Sequence, residues 1–349
     1  MERTPVYYGD YLQLDKILGA QYPESSKEGE MPAHDEMLFI IIHQAYELWF
    51  KEVLYEVDSA KKVLMQPSIN DNTPDLQTVV HRLNRVITIL KVLIHQIDIM
   101  ETMTPMDFLD FRDLLRPASG FQSWQFKTLE AKLGLRYEDR FGQEYYTSQL
   151  QEREIRIIKE AESEQSLLFL VNEWLERIPF FNAVEGWKEL NADFDMHDDT
   201  QHPFWEKYRE AYKNSLAEVE RHNLAYFDSV FFKEDPKRQL SAKASRAALF
   251  IMLYRGYPIL HLPFELLNNL LEIDEEMSTW RYRHMNMVHR MIGTRIGTGG
   301  STGKNYLKSA LDKHYIFKEL AQLTSFLMES RKIPDLPGSL KEKMGFLIN

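Results

Sequence analysis

The sequence predicts an all-α fold, a helical bundle, because apolar residues recur at helical spacing and helix-breaking residues are scarce. Only 15 glycines and 14 prolines occur in 349 residues, so long stretches run without interruption. No long segment alternates apolar and polar residues, as a half-buried strand would. Residues 34–65 and 75–101 each carry an apolar stripe with spacings of three and four, which predicts two long antiparallel helices of a bundle.

Shorter helices are predicted along the rest of the chain by the same periodicity. They cover residues 105–115, 122–133, 151–177, 203–223, 240–254, 264–271, 280–292 and 304–329, the last with a break near 313. The polar segment NADFDMHDDTQ (191–201) is expected to be a loop, with sequence of similar character on both sides. We therefore expect residues 1–349 to form a single domain in which about 145–235 are a helical insertion.

Composition and charge argue against several classes of function. A formal net charge of -11 would repel phosphate backbones, so we expect no nucleic-acid partner. The absence of cysteine excludes disulfides, thiolate nucleophiles and cysteine ligands to zinc or haem iron. The first ten residues lack the apolar core of a signal peptide, and no uncharged apolar run is long enough to cross a membrane, so no membrane partner is expected either.

The first block with chemical potential is HDEMLFIIIHQAYELWFKE (34–52), in which His43 falls on the apolar stripe. A histidine at such a position is often a core residue that is hydrogen-bonded to the backbone or to a carboxylate. The alternative is a polar group that projects into an apolar pocket and hydrogen-bonds a ligand. The spacing alone leaves both interpretations open.

The second block is DFLDFRDLLRPASGFQSWQF (107–126). Phe108 and Arg112 are four residues apart and therefore share a helix face. An arginine beside aromatic rings is well shaped to bind a carboxylate with its planar fork, but a surface arginine paired with Asp110 or Asp113 has the same spacing. The PASG segment predicts a turn of small residues that would allow a ligand to approach closely.

The third block is WRYRHMNMVHRMIGTRIGTGGSTGKNYL (280–307), which carries two histidines on one predicted helix. His284 and His289 are five residues apart, about 140° around the helix axis, so at most one of them can face a small metal site. The run GTGGSTGKN is not a phosphate-binding P-loop, because Thr298 stands where that motif needs glycine and Asn305 where it needs serine or threonine. A ligand-covering loop and a plain connection between helices both remain open.

Taken together, these blocks resemble the tryptophan 2,3-dioxygenase family. The resemblance begins at YGDYLQLDKILGAQ (8–21) and continues through the three blocks in the same order and separation, so it covers nearly the whole chain. Residues 140–235 match only weakly. Trp124 departs from the family pattern, which more often has a smaller aliphatic residue there, but the neighbouring serine-bearing turn is intact.

The resemblance implies a role for each matching residue. It makes His284 of the RYRH segment the ligand of the haem iron, and His43 the distal histidine that hydrogen-bonds the indole N–H. Arg112 is similar to the arginine that binds the substrate carboxylate, and Thr298 to the threonine that contacts the ammonium and carboxylate groups.

Further positions match residues that line the family's pocket. Phe39 and Phe108 are similar to its aromatic walls, and Ser119 to a serine close to the haem. Tyr8 and Tyr11 are similar to tyrosines that enter the pocket of a neighbouring subunit.

The activity implied by the resemblance is cleavage of the indole C2–C3 bond of L-tryptophan with O2, which gives N-formyl-L-kynurenine, the first step of tryptophan degradation by the kynurenine pathway. The cofactor would be haem b (iron protoporphyrin IX), one per subunit, in a cytoplasmic homotetramer arranged as a dimer of dimers. An apolar ring that carries a zwitterion needs aromatic walls, a fixed cation and hydroxyl partners, and the residues above supply these groups.

Three alternatives remain open at this stage. A relative with the same haem site could oxygenate another indole, although Arg112 and Thr298 favour an amino-acid substrate. A non-catalytic bundle could bind haem as a sensor or scavenger. A haem-free helical scaffold would have the same periodicity, and it would show no Soret band after expression with haem.

Overall fold

The computed structural model describes residues 5–67, 74–140, 145–179, 187–189, 202–293, 295 and 314–345, and every regular element in these ranges is helical. The predicted all-α class is therefore confirmed. None of the helices in these ranges is long and apolar enough to cross a membrane.

The α-helices are α1 (Tyr8–Leu12), α2 (Leu14–Leu18), α3 (Asp35–Leu64), α4 (Pro74–Met100), α5 (Pro105–Arg112), α6 (Trp124–Leu133), α7 (Glu152–Ser163), α8 (Leu167–Glu176), α9 (Pro203–Ser215), α10 (Asn223–Phe232), α11 (Ala242–Leu253), α12 (His261–Ile292), α13 (Lys318–Gln322) and α14 (Gly338–Met344). Short 3-10 turns connect several of them, including Asp113–Leu115 and Gly120–Gln122.

Three long helices form the centre of the fold, because α4 packs against both α3 and α12. The apolar stripe predicted for α4 is buried along its whole length, from Leu76 to Met100. On α3 the buried stripe includes Phe50, Val53 and Val57. Buried side chains of α8 to α11 belong to the same hydrophobic cluster as those of α3 and α4, so the helices of the middle region pack onto the long ones.

Several predictions of helix extent were wrong. In the predicted helix 203–223, α9 ends at Ser215 and a separate helix, α10, begins at Asn223. Residues 314–329 of the last predicted helix contain only α13 and a 3-10 turn. Residues 151–177 form two helices instead of one, because the Ser166 hydroxyl accepts a hydrogen bond from the Phe169 N–H and begins α8. Residues 264–271 and 280–292 belong to one helix, α12, since the intervening Ile273 and Met277 continue its buried face. The predicted loop 191–201 and residues 304–313 of the last predicted helix lie outside the described residues.

Glycines end the two helices that matter most for the site. Gly134 follows α6 with a φ of 131°, and a β-carbon there would lie 2.9 Å from the Leu168 β-carbon. Gly293 follows α12 with a φ of 58°, and its N–H donates to the His289 carbonyl. Both positions need glycine because other residues rarely adopt a positive φ.

A buried network of charges fastens α12 to α6. Glu130 of α6 accepts hydrogen bonds from Arg140 and Arg281, each at 2.8 Å, and its Oε1 lies 3.1 Å from the His314 Nδ1. All four side chains are buried. Burial opposes ionisation of Glu130, but the cationic neighbours outweigh it and hold the pKa of this carboxyl well below its usual range. The network therefore keeps the Glu130 carboxylate ionised inside the protein and pairs it with Arg281, three residues before His284.

We predict that Glu130→Gln lowers the free energy of unfolding by about 3–5 kcal/mol, because it removes the negative charge that lies between the buried guanidinium groups of Arg140 and Arg281. Urea unfolding at neutral pH measures this difference. The exposed Glu329, which pairs with Lys332 and Arg331, provides the control, and Glu329→Gln should change stability by less than about 1 kcal/mol. Equal effects of the two substitutions would show that the network does not hold α12.

Candidate functional site

A second hydrophobic cluster lies where α3, α5 and α12 meet beside the end of α4. Its buried members are Ile42, Met100, Met103, Phe111 and Met291. Its partly buried members are Ala33, Leu38, Phe39, Tyr46, Phe108, Leu114, Leu115, Met287 and Ile292. This aromatic and thioether surface borders His43, whose ring contacts Phe39, and lies beside the part of α12 that carries His284.

His43 projects from α3 next to the Phe39 ring, with ring centroids 4.1 Å apart. Its Nδ1 lies 2.7 Å from the Phe39 carbonyl oxygen, and since a carbonyl can only accept, Nδ1 carries the proton. Burial lowers the pKa of His43, against the smaller opposing effects of this hydrogen bond and of Glu47. The ring is therefore neutral, and its Nε2 is an acceptor suited to an N–H group of a ligand.

His284 projects from α12 toward the same cluster. Met287 and Met291, three and seven residues further on, lie on the same face of the helix and belong to the cluster. Burial, and to a smaller extent the neighbouring His43, lower the pKa of His284 to about 4. His289 is exposed, so only one of the two histidines of the third block faces the site.

The state of the His284 ring follows from this environment. A neutral imidazole with a free lone pair is the form that binds a metal. Its Nδ1 is buried and has no hydrogen-bond partner among the described residues. Within those residues no three or more histidine, aspartate or glutamate side chains group as metal ligands.

Phenylalanines form the wall beside His43. The rings of Phe39 and Phe108 stack with centroids 5.7 Å apart, and Phe111 meets both of them edge-on, at 5.5 and 5.4 Å. Phe39 and Phe108 were expected from the sequence, whereas Phe111 was not. The spacing of Phe111 from Phe108 is helical, and this signal could have identified it.

Arg112 ends α5 and is buried, with only 4% of its surface exposed. The surface interpretation of this arginine was therefore wrong. Asp113, one of its candidate surface partners, accepts a hydrogen bond from Arg116 at 3.1 Å. Since α5 packs on both α3 and α12, Arg112 lies at the end of a helix that borders the same cluster.

Ser119 lies in the small-residue turn and caps the 3-10 turn Gly120–Gln122. Its hydroxyl accepts from the Phe121 N–H at 3.2 Å, and Gln122 accepts from the Ser119 N–H. The Lys127 ammonium donates to the Phe121 carbonyl and so ties this turn to α6. Burial lowers the pKa of Lys127 to about 8.

The remaining expected residues lie away from the cluster or outside the described ranges. Tyr8 and Tyr11 on α1 are 70% and 75% exposed, and neither belongs to the hydrophobic cluster of the described residues. Thr298 lies outside the described residues.

The segment that follows α1 and α2 is anchored to α3 by residues that the sequence did not single out. The Glu36 carboxylate accepts from the N–H groups of Glu24 and Ser25, at 2.8 and 2.9 Å. Gln44, next to His43, donates to the Ala20 carbonyl and accepts from Gln21. The N-terminal segment is thus fixed at its base while its tyrosines face outward.

The sequence of this chain is similar to those of known proteins. The sequence model of the family described as tryptophan 2,3-dioxygenase matches residues 1–327. A protein of Bdellovibrio bacteriovorus named tryptophan 2,3-dioxygenase is 42% identical over 99% of this chain and 99% of its own length. The protein of the same name from Alteromonas mediterranea is 44% identical over 99% of this chain and 98% of its length. The one from Dictyostelium discoideum is 42% identical over 98% of this chain and 88% of its length.

We predict that stability falls as the pH drops below about 6.5, in part because of His43. Its folded pKa is depressed, so the unfolded chain binds the proton first and is favoured as the pH falls. His43→Gln should therefore reduce this loss, measured by urea unfolding of the apoprotein between pH 7 and pH 5. His289→Gln, on an exposed histidine, is the control. A His43→Gln variant with the pH dependence of the unmodified protein would contradict the buried, neutral ring.

Proposed function

The chain belongs to the tryptophan 2,3-dioxygenase family, and we propose that His284 is its haem ligand and His43 the residue that orients its substrate. The protein is a haem-dependent dioxygenase that cleaves the indole C2–C3 bond of L-tryptophan with O2 to N-formyl-L-kynurenine. The observation that carries the assignment of residues is the approach of two neutral histidines from different helices across one apolar cluster.

The residues around His284 fit a haem. A haem iron needs one protein imidazole and an apolar surface for the flat macrocycle. His284 would provide the imidazole, and the methionines and aromatic rings of the cluster would provide the apolar surface. The buried Nδ1 leaves Nε2 as the ligating atom. When bound, the haem supplies the oxygen chemistry, and the protein supplies binding and orientation. We propose haem b, one per subunit.

His43 is suited to the indole end of the substrate. Because its Nδ1 donates to the Phe39 carbonyl, its Nε2 can accept the indole N–H. Phe39 and Phe108 provide flat apolar contacts for the rings. His43 would thereby orient the indole by holding its N–H group on Nε2.

Arg112 is suited to the carboxylate end. A buried guanidinium binds a carboxylate with two parallel hydrogen bonds and selects amino acids over simple indoles. We propose that Thr298 contacts the ammonium and carboxylate groups and that Ser119 lies near the haem, with its turn held by Lys127. These roles come from the family motifs that the residues match.

We propose a homotetramer, a dimer of dimers, in which Tyr8 and Tyr11 complete a neighbouring subunit's pocket. Their exposure supports this, because aromatic side chains at the surface of one chain are suited to burial against another. Met37, Ile41, Leu48 and Tyr55 add an exposed apolar stripe along α3. We also propose that residues 1–349 form one domain, with residues 145–235 as a helical insertion, and that the protein is cytoplasmic, where a chain without cysteine is at no disadvantage.

We predict that His284→Ala abolishes stable haem binding, because it removes the iron ligand. The Soret band of protein expressed with haem supply measures this loss. His289→Ala, five residues further along the same helix and exposed, should keep the full Soret band. A normal Soret band in the His284→Ala variant would refute the ligand assignment. A wild-type protein without a Soret band would instead favour a haem-free scaffold.

We predict that Arg112→Ala lowers kcat/KM for L-tryptophan while haem content stays unchanged. Loss of a buried carboxylate partner costs about 2–5 kcal/mol, which corresponds to about 30-fold to several-thousand-fold. Arg116→Ala is the control, because Arg116 is half exposed and pairs with Asp113. The ratio of turnover with tryptophan to turnover with indole should fall only in the Arg112 variant. Unchanged kinetics would exclude Arg112 as the carboxylate partner.

A further inference from the structure

A histidine that ligates a metal is usually oriented through its second ring nitrogen, which donates to a carboxylate or a carbonyl group. When Nε2 binds the iron, Nδ1 carries the proton and is the donor. In His284 this Nδ1 is buried, and no described residue accepts from it. Among the described residues, the plane of the imidazole is therefore fixed by a ring contact and not by a hydrogen bond.

The Trp280 ring makes that contact. It lies one helical turn before His284, with ring centroids 5.1 Å apart and an angle of 5° between the ring planes. Nearly parallel rings at this distance are in offset stacking contact. Rotation of the imidazole about its bond to the β-carbon would break the stack, so the indole plane restricts the imidazole plane.

Trp280 is itself held by aromatic rings from two other helices. The Phe126 ring of α6 lies 5.0 Å away, and Tyr46 and Phe50 of α3 meet the indole edge-on, at 6.0 and 6.3 Å. Tyr46 cannot turn away easily, because its hydroxyl donates to the Leu93 carbonyl at 2.9 Å. These contacts fix the orientation of the Trp280 ring, so it does not rotate together with the His284 imidazole.

The backbone of the same helical turn is fixed by the next residue. Arg281 donates to Glu130 at 2.8 Å and lies over the Phe126 ring at 5.6 Å. The indole plane and the helix that carries it thus have the same anchor, α6.

We propose that Trp280 is a positioning residue for the haem ligand, whose stacked indole sets the plane of the His284 imidazole in place of the usual hydrogen bond. This inference rests on the proposed role of His284. It assigns to Trp280 a function beyond core packing, because the orientation of the imidazole plane determines how the ligand orbitals align with the porphyrin nitrogens.

The test uses the haem-loaded protein and compares Trp280→Met with Trp280→Phe. Methionine fills apolar volume but has no planar face, whereas phenylalanine keeps one. We expect Trp280→Met to release haem to apomyoglobin at least about tenfold faster. We also expect it to broaden the ferric electron paramagnetic resonance spectrum, since the imidazole plane varies between molecules. Trp280→Phe should release haem within about threefold of the wild-type rate and keep a narrow spectrum.

The matched control is Trp205→Met. Trp205 is fully buried and stacks on Phe231 with ring planes 9° apart, so its loss removes similar packing and leaves the stack between Trp280 and His284 in place. It should lower the melting temperature but leave the haem release rate and the spectrum unchanged. If Trp280→Met is insoluble, Phe126→Leu replaces it, because this change loosens Trp280 without altering His284, and it should shift both readouts in the same direction.

The role of Trp280 would be overturned if Trp280→Met released haem at the wild-type rate and kept the wild-type electron paramagnetic resonance spectrum. It would also be overturned if Trp205→Met changed both readouts as much as Trp280→Met does. A wild-type spectrum in a folded Phe126→Leu variant, used as the replacement, would overturn it as well. These results are separate from failure of the proposed function, which would appear as a wild-type protein without haem or as a Soret band in His284→Ala.

Discussion

The ion pair between Arg281 and Glu130 is the interaction on which the site depends. It is buried and 2.8 Å long, and it joins α12, which carries His284, to α6. A buried ion pair adds little stability compared with apolar residues of the same size, because both charges lose their hydration. It does fix geometry, since few arrangements satisfy both groups. Arg140 and His314 also contact the Glu130 carboxylate, and together these contacts restrict rotation of its side chain.

The two histidines are kept neutral by the same burial but differ in what their second nitrogen contacts. His43 donates from Nδ1 to its own helix, which leaves Nε2 as an acceptor. His284 has a buried Nδ1 without a described acceptor, so its orientation depends on a ring contact. The pair is thus chemically asymmetric. The His43 ring is suited to accept an N–H group, and the His284 ring would be suited to bind an iron.

Periodicity predicted the fold class and most helices, because buried stripes with spacings of three and four exist only on helices. It failed where a local hydrogen bond decided the outcome, as at Ser166, and where a helix continued through polar sequence, as in 272–279 of α12. His43, Phe108 and Arg112 could be singled out from spacing, but only the fold brings their helices together. Glu130 gave no signal, since its partners are distant in sequence.

Trp280 shows why the residues around a histidine such as His284 are harder to predict from sequence than the histidine itself. Its spacing of four from His284 indicates a shared face, yet the same spacing recurs throughout α12. What distinguishes it is the box of Tyr46, Phe50 and Phe126, which comes from two other helices. Each member of this box also belongs to, or packs against, the main hydrophobic core. Packing of the core and orientation of the His284 ring are therefore coupled in this protein, because the same aromatic rings take part in both.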